Sequence, residues 1–356
     1  MMPSMGANLF GMPLAELERA VASLGEPAYR ARQIYCWLYK KRARAFSEMS
    51  DLGRGMRERL AAGHELRWPT VAQRQRSSDG TVKYLFRLDD GASIESVYIP
   101  EERRRTVCIS TQAGCPLKCG FCLTGIAGYK RNLKPWEILG QAATVMAEAP
   151  RSARSWNVVM MGMGEPLLNL QATLASLRIL MDPEGFAVSP KKLTLSTVGI
   201  LPALEELMRE AVRPNLAISL HAPNARLRAE LMPIEARYPL ADVIAAARRY
   251  PIPRGGRVTY EYVLLGGVND SPAHARELVG VLGGSRCKVN LIPLNPAPEI
   301  PFEPPSPRTV DAFCGILAAA HITVSVRRPR GRDILAACGQ LRLERGAVPQ
   351  PLAAPP

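Results

Sequence analysis

The chain has 356 residues, with 46 Lys and Arg against 32 Asp and Glu, a formal charge of +14. A composition that is 47 % apolar and 22 % charged excludes a disordered chain and leaves room for two domains, or for one large α/β domain with an appendage. No apolar run is long enough to span a membrane and no basic-then-apolar leader opens the sequence, so a cytoplasmic protein with a polyanionic partner is expected, its eight cysteines serving metal binding or catalysis and not a disulfide framework.

Residues 12–62 read as helices. Leu14, Leu17, Val21 and Leu24 recur at helical spacing after Pro13, and Pro27 interrupts them. Tyr29 to Arg42 separates Ile34 and Leu38 from its basic residues, and Ser50, with Asp51 in the first turn, marks a third helix running to Leu60. Residues 1–75 hold twelve Lys/Arg and seven Asp/Glu and are expected to form a basic helical domain, either a solvated face or an RNA-docking surface. Residues 76–100 read as a hairpin linker, with strand-like Thr81–Leu88 and Ala92–Ile99 around Asp89-Asp90-Gly91.

From residue 101 to 343 strands and helices alternate. Strands are expected at Thr106–Ser110, Trp156–Met160, Lys192–Thr197, Leu216–Leu220, Val258–Val263 and Lys288–Ile292, each followed by a helix: 135–149, 170–181, 202–210, 239–249, 272–282 and 307–320. Such a series implies a parallel sheet in an α/β fold, and both a partial barrel and an open doubly wound sheet fit it. Residues 344–356 read as a loose tail.

The most specific signal is Cys115-Pro-Leu-Lys-Cys119-Gly-Phe-Cys122. A zinc knuckle takes four ligands in paired spacings, whereas three thiols fit a 4Fe-4S cube with one iron left open to a substrate. Met161-Gly162-Met163-Gly164-Glu165-Pro166 comes directly after the second strand. Leu167 stands where a dinucleotide fingerprint needs a third glycine, so the stretch reads as a tight turn. Its glycines allow close backbone approach, and Glu165 can accept from an α-ammonium group. Leu195-Ser196-Thr197, Ser219-Leu220-His221-Ala222-Pro223-Asn224 and Leu291-Ile292-Pro293-Leu294-Asn295 each fall at the end of an expected strand. Three polar sites on one rim favour ligand binding over three unrelated loop caps.

A C-x3-C-x2-C loop after the first strand of a βα series resembles the radical S-adenosylmethionine (SAM) superfamily. Together with Arg131-Asn132-Leu133, Gly267-Val268-Asn269-Asp270 and Ala336-Ala337-Cys338-Gly339-Gln340-Leu341, the rim motifs resemble the RlmN-type adenine carbon-2 RNA methyltransferases over nearly the whole chain. This resemblance implies a partial (β/α)6 barrel with the site at the carboxyl ends of its strands. It also implies one 4Fe-4S cluster on Cys115, Cys119 and Cys122, and SAM held by Gly164, Glu165, Ser196, Ser219, Leu220, His221 and Asn295, with two SAM used per turnover. The implied partners are 23S rRNA, tRNA at the nucleotide 3′ of the anticodon, an external one-electron donor and a disulfide reductant. Val198 stands where a second serine is expected in many relatives.

Carbon 2 of adenine is an amidine carbon and a poor nucleophile, so direct attack on a sulfonium methyl is unfavourable, whereas a radical can add there. The resemblance implies a relay in which Cys338 takes a methyl group, loses a hydrogen atom from it to the adenosyl radical, and joins the base covalently. Glu95 would then remove the carbon-2 proton. Cys108 would attack the sulfur of Cys338, leaving a Cys108–Cys338 disulfide. On their own contexts, Cys108 would be core packing and Glu95 a water-facing strand residue. Cys36, Cys287 and Cys314 are given no catalytic role. Arg327-Arg328-Pro329-Arg330-Gly331-Arg332 is a candidate phosphate contact beside Cys338. Two other functions stand beside this one: the related carbon-8 methylation, which would use the same cysteines, and a non-catalytic zinc-bearing RNA-binding protein.

Overall fold

The computed structural model describes residues 6–102, 104–149, 155–253 and 255–342; the expected tail over 344–356 lies outside them. The chain opens with β1 (Ala7–Asn8), α1 (Leu14–Ser23), α2 (Tyr29–Tyr35) running into a π-helical turn at Cys36–Lys41, α3 (Arg54–Gly63) and β2 (His64–Glu65), which pairs in parallel with β1. Leu17, Val21, Ile34, Leu38 and Leu60 are buried, as their spacing predicts. Tyr39 ties the segment together, its hydroxyl donating to the Met12 carbonyl (2.7 Å) and accepting the Gly11 N–H (3.0 Å). Tyr35 donates to Asp182 of the core at 3.0 Å. The third helix differs from expectation. It starts after Gly53, not Ser50, because Asp51 accepts the Trp37 indole N–H at 2.5 Å and so is held outside the helix.

The sheet then begins with β3 (Thr70–Arg76), β4 (Val82–Arg87) and β5 (Ser93–Pro100), followed by β6 (Arg105–Cys108), β7 (Gln112–Gly114), α4 (Leu123–Ile126), β8 (Tyr129–Asn132) and α5 (Pro135–Glu148). The alternation continues through β9 (Trp156–Met160), α6 (Leu170–Met181), β10 (Leu193–Thr197), α7 (Leu201–Arg209), β11 (Asn215–Ser219), α8 (Ala225–Leu231), α9 (Leu240–Arg249), β12 (Val258–Leu264), α10 (Pro272–Leu282), β13 (Cys287–Pro293), α11 (Pro307–Ala319) and β14 (Thr323–Val326). Ten strands form one sheet in the order β14-β13-β12-β11-β10-β9-β6-β5-β4-β3. From β6 to β14 all pairings are parallel, whereas β5, β4 and β3 add an antiparallel wing. The parallel part is a partial (β/α) barrel, its strands inside the β14 edge largely covered. Every residue of β12 is buried, for example, which is why these strands read as apolar runs.

Besides the short pairs β1–β2 and β7–β8, two strands of the ten-stranded sheet were not anticipated. β14 is largely exposed, and Thr-Val-Ser-Val at a sheet edge has no buried-strand signature. β3 falls inside the stretch expected to be helical; it is an edge strand alternating between exposed and half-buried, and its Thr-Val-Ala-Gln-Arg-Gln-Arg sequence carries almost no apolar signal. No helix among the described residues is long and apolar enough to cross a membrane.

Candidate active site at the carboxyl ends of the strands

The cysteine loop is held by its flanks. β7 and β8 pair antiparallel on either side of it, and the Cys115 N–H donates to Gly128 (2.8 Å), the Gly120 N–H to Leu231 (3.2 Å) and the Cys122 N–H to Cys119 (3.2 Å). Cys119 is buried, and Cys115 and Cys122 are half-buried. Burial, and then the charge of the neighbouring thiols and Glu165, pushes Cys119 well above the ordinary thiol range. Burial likewise raises Cys115 to about 12. Cys115 and Cys119, both resisting ionisation and set beside Cys122, suit a cationic occupant, which would deprotonate them outright. Among the described residues no three His, Cys, Asp or Glu are placed to grip a single metal ion. The donor set therefore fits a cluster whose irons are ligated one by one.

The Gly162–Gly164 turn lies directly against the loop that leads from β6 to the cysteines. The Gly162 N–H donates to Ile109 (3.1 Å), the Met163 carbonyl accepts from Thr111 (2.9 Å), and the Glu165 N–H donates to Gln112 (2.8 Å). Gly164 has φ +98°, and a Cβ there would collide with the Gln112 side chain, so glycine is required by this contact. Glu165 is buried, accepting N–H groups from Leu167 (3.0 Å) and Val198 (2.9 Å). Burial outweighs these bonds and pushes its carboxyl up to about 7. Val198, the departure from the family pattern, thus contributes through its main chain.

Ser196 and Ser219 meet on adjacent strands, hydroxyl to hydroxyl at 3.3 Å. The N–H groups of Leu220 and His221 both reach the Glu261 carbonyl (3.0 and 3.3 Å). His221 has φ +61°. Its ring meets Phe121 edge-on, and its Nδ1 accepts the Val263 N–H at 3.0 Å, which places any ring proton on Nε2. Burial and then Arg228 push its pKa down to about 3, so the ring is neutral. Asn269 staples the same corner, donating to the carbonyls of His221 (2.8 Å) and Val263 (2.7 Å). Asn295 donates to the Cys338 carbonyl at 3.4 Å, and its buried Oδ1 has no partner, so an acceptor stands ready beside the cysteine.

The segment carrying Cys338 closes over this rim. The Gly339 carbonyl accepts the Leu123 N–H (2.8 Å), and the Leu341 carbonyl accepts the Thr124 hydroxyl (2.5 Å). Cys338 is open to solvent although protein surrounds it, and burial raises its thiol while Arg327 draws it back. Cys108 is buried and pushed up to about 12, first by burial and then by the charge of Cys338. The two thiols are therefore neighbours, and both are free. Arg327 lies between the motifs, with Nη2 at 3.8 Å from both Met161 Sδ and Glu261 Oε1.

Glu95 does not face water; it is 1 % exposed. Lys83 Nζ lies 2.9 Å from one carboxylate oxygen, and the Arg342 N–H donates to the other at 2.9 Å. Lys83 was invisible in the sequence, where a lysine on a strand reads as surface. The same holds for Arg228, fully buried and paired with Glu235. Gln141 could have been found: an amide in the apolar run Ile138 to Ala143 of α5, it accepts from Ser96 (2.5 Å) and brackets the backbone of Ser110 (2.8 and 2.9 Å).

The radical SAM superfamily model matches residues 109–279, and the ribosomal RNA large subunit methyltransferase N-terminal domain matches residues 7–66. Among curated relatives, the dual-specificity RNA methyltransferase RlmN of Syntrophus aciditrophicus is 49 % identical over 94 % of this chain and 96 % of its own. That of Syntrophobacter fumaroxidans is 49 % identical over 94 % and 97 %. A crystal structure of a radical SAM methyltransferase from Sphaerobacter thermophilus superposes with a TM-score of 0.88 at 46 % identity, covering 94 % of this chain and 99 % of that one. With its cysteine loop, glycine turn and Cys338 segment assembled on one rim, the chain belongs to the RlmN family of radical SAM RNA methyltransferases.

Proposed function

We propose that this chain methylates carbon 2 of an adenine in 23S rRNA, and of the adenine 3′ of the anticodon in tRNA, with Cys338 as methyl carrier, Cys108 as resolving thiol and Glu95 as proton acceptor. The names of its relatives support RNA as the substrate. The observation that carries the mechanism is that Cys108 and Cys338, 230 residues apart in the chain, come near enough for the charge of Cys338 to act on Cys108, with Cys122 near enough to act on Cys338. Cys115, Cys119 and Cys122 would hold the cluster. Gly164, Glu165, Ser196, Ser219, Leu220, His221 and Asn295 would hold SAM. When bound, these groups supply the methyl group and the one-electron cleavage that activates it.

The protein's own side chains do the rest. Cys338 Sγ loses its proton and forms the bond to the methyl carbon, a change that Arg327 favours by its charge. Once that carbon is joined to the base, Glu95 takes the carbon-2 proton, its carboxylate aimed by Lys83 and the Arg342 N–H. Cys108 Sγ then gives up its proton and bonds to Cys338 Sγ as the carbon–sulfur bond breaks; that bond's electron pair stays with the departing carbon, which takes up a proton to become the methyl group, and an external reductant returns the disulfide to two thiols with two electrons and two protons. Arg328 and Arg332 remain exposed on the loop before Cys338, where they suit phosphates. The N-terminal segment offers a recess of about 600 Å³ bordered by Arg44, Arg54 and Arg57 as well as Glu58 and Glu65, and the twelve Lys/Arg against seven Asp/Glu of residues 1–75 support a role for this segment in docking RNA.

Cys108→Ala and Cys338→Ala proteins purified from cells and run on denaturing gels, with and without ribonuclease, test the assignment. Cys108→Ala should carry RNA covalently on Cys338, and Cys338→Ala none; normal turnover by Cys108→Ala would sink it. Mass spectrometry of the digested RNA separates 2-methyladenosine from the 8-methyl isomer.

A further inference from the structure

Arg228 carries a buried charge that takes no part in the proposed chemistry. It is the largest of the fully buried side chains. It lies on α8, whose Leu231 carbonyl accepts the Gly120 N–H of the cysteine loop (3.2 Å). Its guanidinium grips in three directions. Nη1 meets the Glu235 carboxylate and donates to the Tyr238 carbonyl (3.1 Å), and Nη2 donates to the Val198 carbonyl (2.8 Å). Glu235 is fixed in turn by the Leu240 N–H (2.9 Å). Burying such a pair gains a fold little over apolar residues of the same volume, so its worth lies in what it holds. Val198 sits in the tight turn from β10 to α7, where Gly199 has φ +96° and a Cβ would strike Val243. The N–H of Val198 donates to Glu165 Oε2 (2.9 Å), and the Thr197 hydroxyl bonds to the same carboxyl group. Arg228 and Glu165 therefore hold one residue by its two main-chain groups. Arg228 is also near enough for its charge to be felt at Cys119 and His221.

We propose that Arg228 is a positioning residue for SAM, which sets the Val198 turn from behind and so aims the Glu165 carboxylate at the amino group of the cofactor. The inference rests on Glu165 holding SAM, as under the proposed function. A carboxylate oriented before its ligand arrives has less ordering to do on binding. The planar fork of arginine suits the task, because one rigid group holds a carboxylate and a carbonyl at fixed angles, which the single ammonium of lysine cannot do.

The test uses reconstituted full-length protein with its cluster oxidised, so that SAM is bound and not cleaved. Arg228→Met alone would strand the Glu235 charge and endanger folding. It is therefore combined with Glu235→Gln, and Glu235→Gln alone is the structural control. Calorimetry measures affinity for SAM and for 5′-methylthioadenosine, which keeps the adenosine and the sulfur but has no amino-acid group. The double variant should bind SAM about tenfold or more weakly, with affinity for methylthioadenosine within about twofold of wild type. Hydrogen exchange over residues 196–200 of the cofactor-free protein should quicken. Glu235→Gln alone should keep SAM affinity near that of wild type. In a Glu165→Gln background the change at Arg228 should cost nothing further, because the two act on one contact. Equal losses for both ligands, or a SAM loss as large in Glu235→Gln as in the double variant, would make Arg228 structural only and overturn the proposal. Unchanged SAM affinity in the double variant would overturn it too, leaving the role of Glu165 intact. If Glu165→Gln by itself leaves SAM affinity unchanged, the role of Glu165 falls and the proposal falls with it.

Discussion

The parallel strands and the antiparallel wing use the same kind of backbone differently. At the ends of the parallel strands, motifs are locked by main-chain bonds to neighbouring loops: Gly162 to Ile109, Thr111 to Met163, His221 to Glu261. The wing instead works through side chains that reach across, Lys83 and Glu95 from β4 and β5, Ser77 and Asp79 from the turn between β3 and β4. The rim is thus rigid where cofactors would sit, and the wing is adjustable where the Cys338 segment must close. The wing should therefore tolerate change in small steps, and the rim should fail outright.

The sharpest test of the rim is Cys119→Ala. Iron content, visible absorption and SAM cleavage should all be lost, whereas a variant that keeps a full cluster and cleaves SAM at the wild-type rate would break the comparison at its base. In the wing, Lys83→Met leaves the buried Glu95 charge without its cation, a change that costs about 3–5 kcal/mol in such pairs. The melting temperature should fall and RNA should accumulate on Cys338, while Lys83→Arg restores both in part. A lower melting temperature with unchanged release of RNA by the folded protein would make the pair purely structural.

A smaller effect concerns pH at the rim. Burial holds Glu165 at about 7, above its unfolded value, so the cofactor-free protein is helped by the protonated carboxyl at low pH. That help is lost as pH rises from the ordinary carboxyl range through about 7. An α-ammonium needs the ionised form, so SAM affinity measured by calorimetry should climb with pH and level off above about 7, and Glu165→Gln should flatten the climb. The smallest effect is expected at the latch between wing and Cys338 segment. There Ser77 donates to Asp333 (2.6 Å) and the Gly331 N–H to Asp79 (3.1 Å). Hydrogen bonds from Thr81, Gly331 and Ser77 outweigh burial and hold Asp79 at about 2. Asp333→Ala should speed hydrogen exchange over residues 331–341 and slow methylation roughly a few-fold, leaving β4 and β5 protected. Unchanged exchange would show that the segment is positioned from the rim alone.

What the sequence conveyed follows the same division. The six buried parallel strands and their helices were legible because two-sided burial writes apolar runs into the chain, and the cysteine spacing pointed to the cluster by itself. The wing was legible only as a hairpin. Glu95 read as water-facing because strand alternation says which faces differ but not which one is covered. Only the pairing of Leu85 with Glu95 across β4 and β5, together with the Cys338 segment, reveals a buried carboxylate. Lys83 and Arg228 stayed hidden for a related reason: a buried charge is defined by partners that the fold sets against it, Glu95 on the next strand and Glu235 just beyond the end of α8, and not by its own place in a pattern. The roles of Cys108 and Cys338 came from family resemblance, since neither thiol announces itself locally.

The Cys338 segment is gripped by its main chain. Cys338 and Gly339 offer carbonyls to Asn295 and Leu123, Leu341 a carbonyl to Thr124, and Arg342 an N–H to Glu95. Any residue can supply such groups, so the side chain at position 342 is replaceable. The count of residues from 338 to 342 is not, because adding or removing one would slide every anchor out of register together. Evolution and engineering alike can therefore rewrite the side chain at 342 far more freely than they can change the length of this stretch.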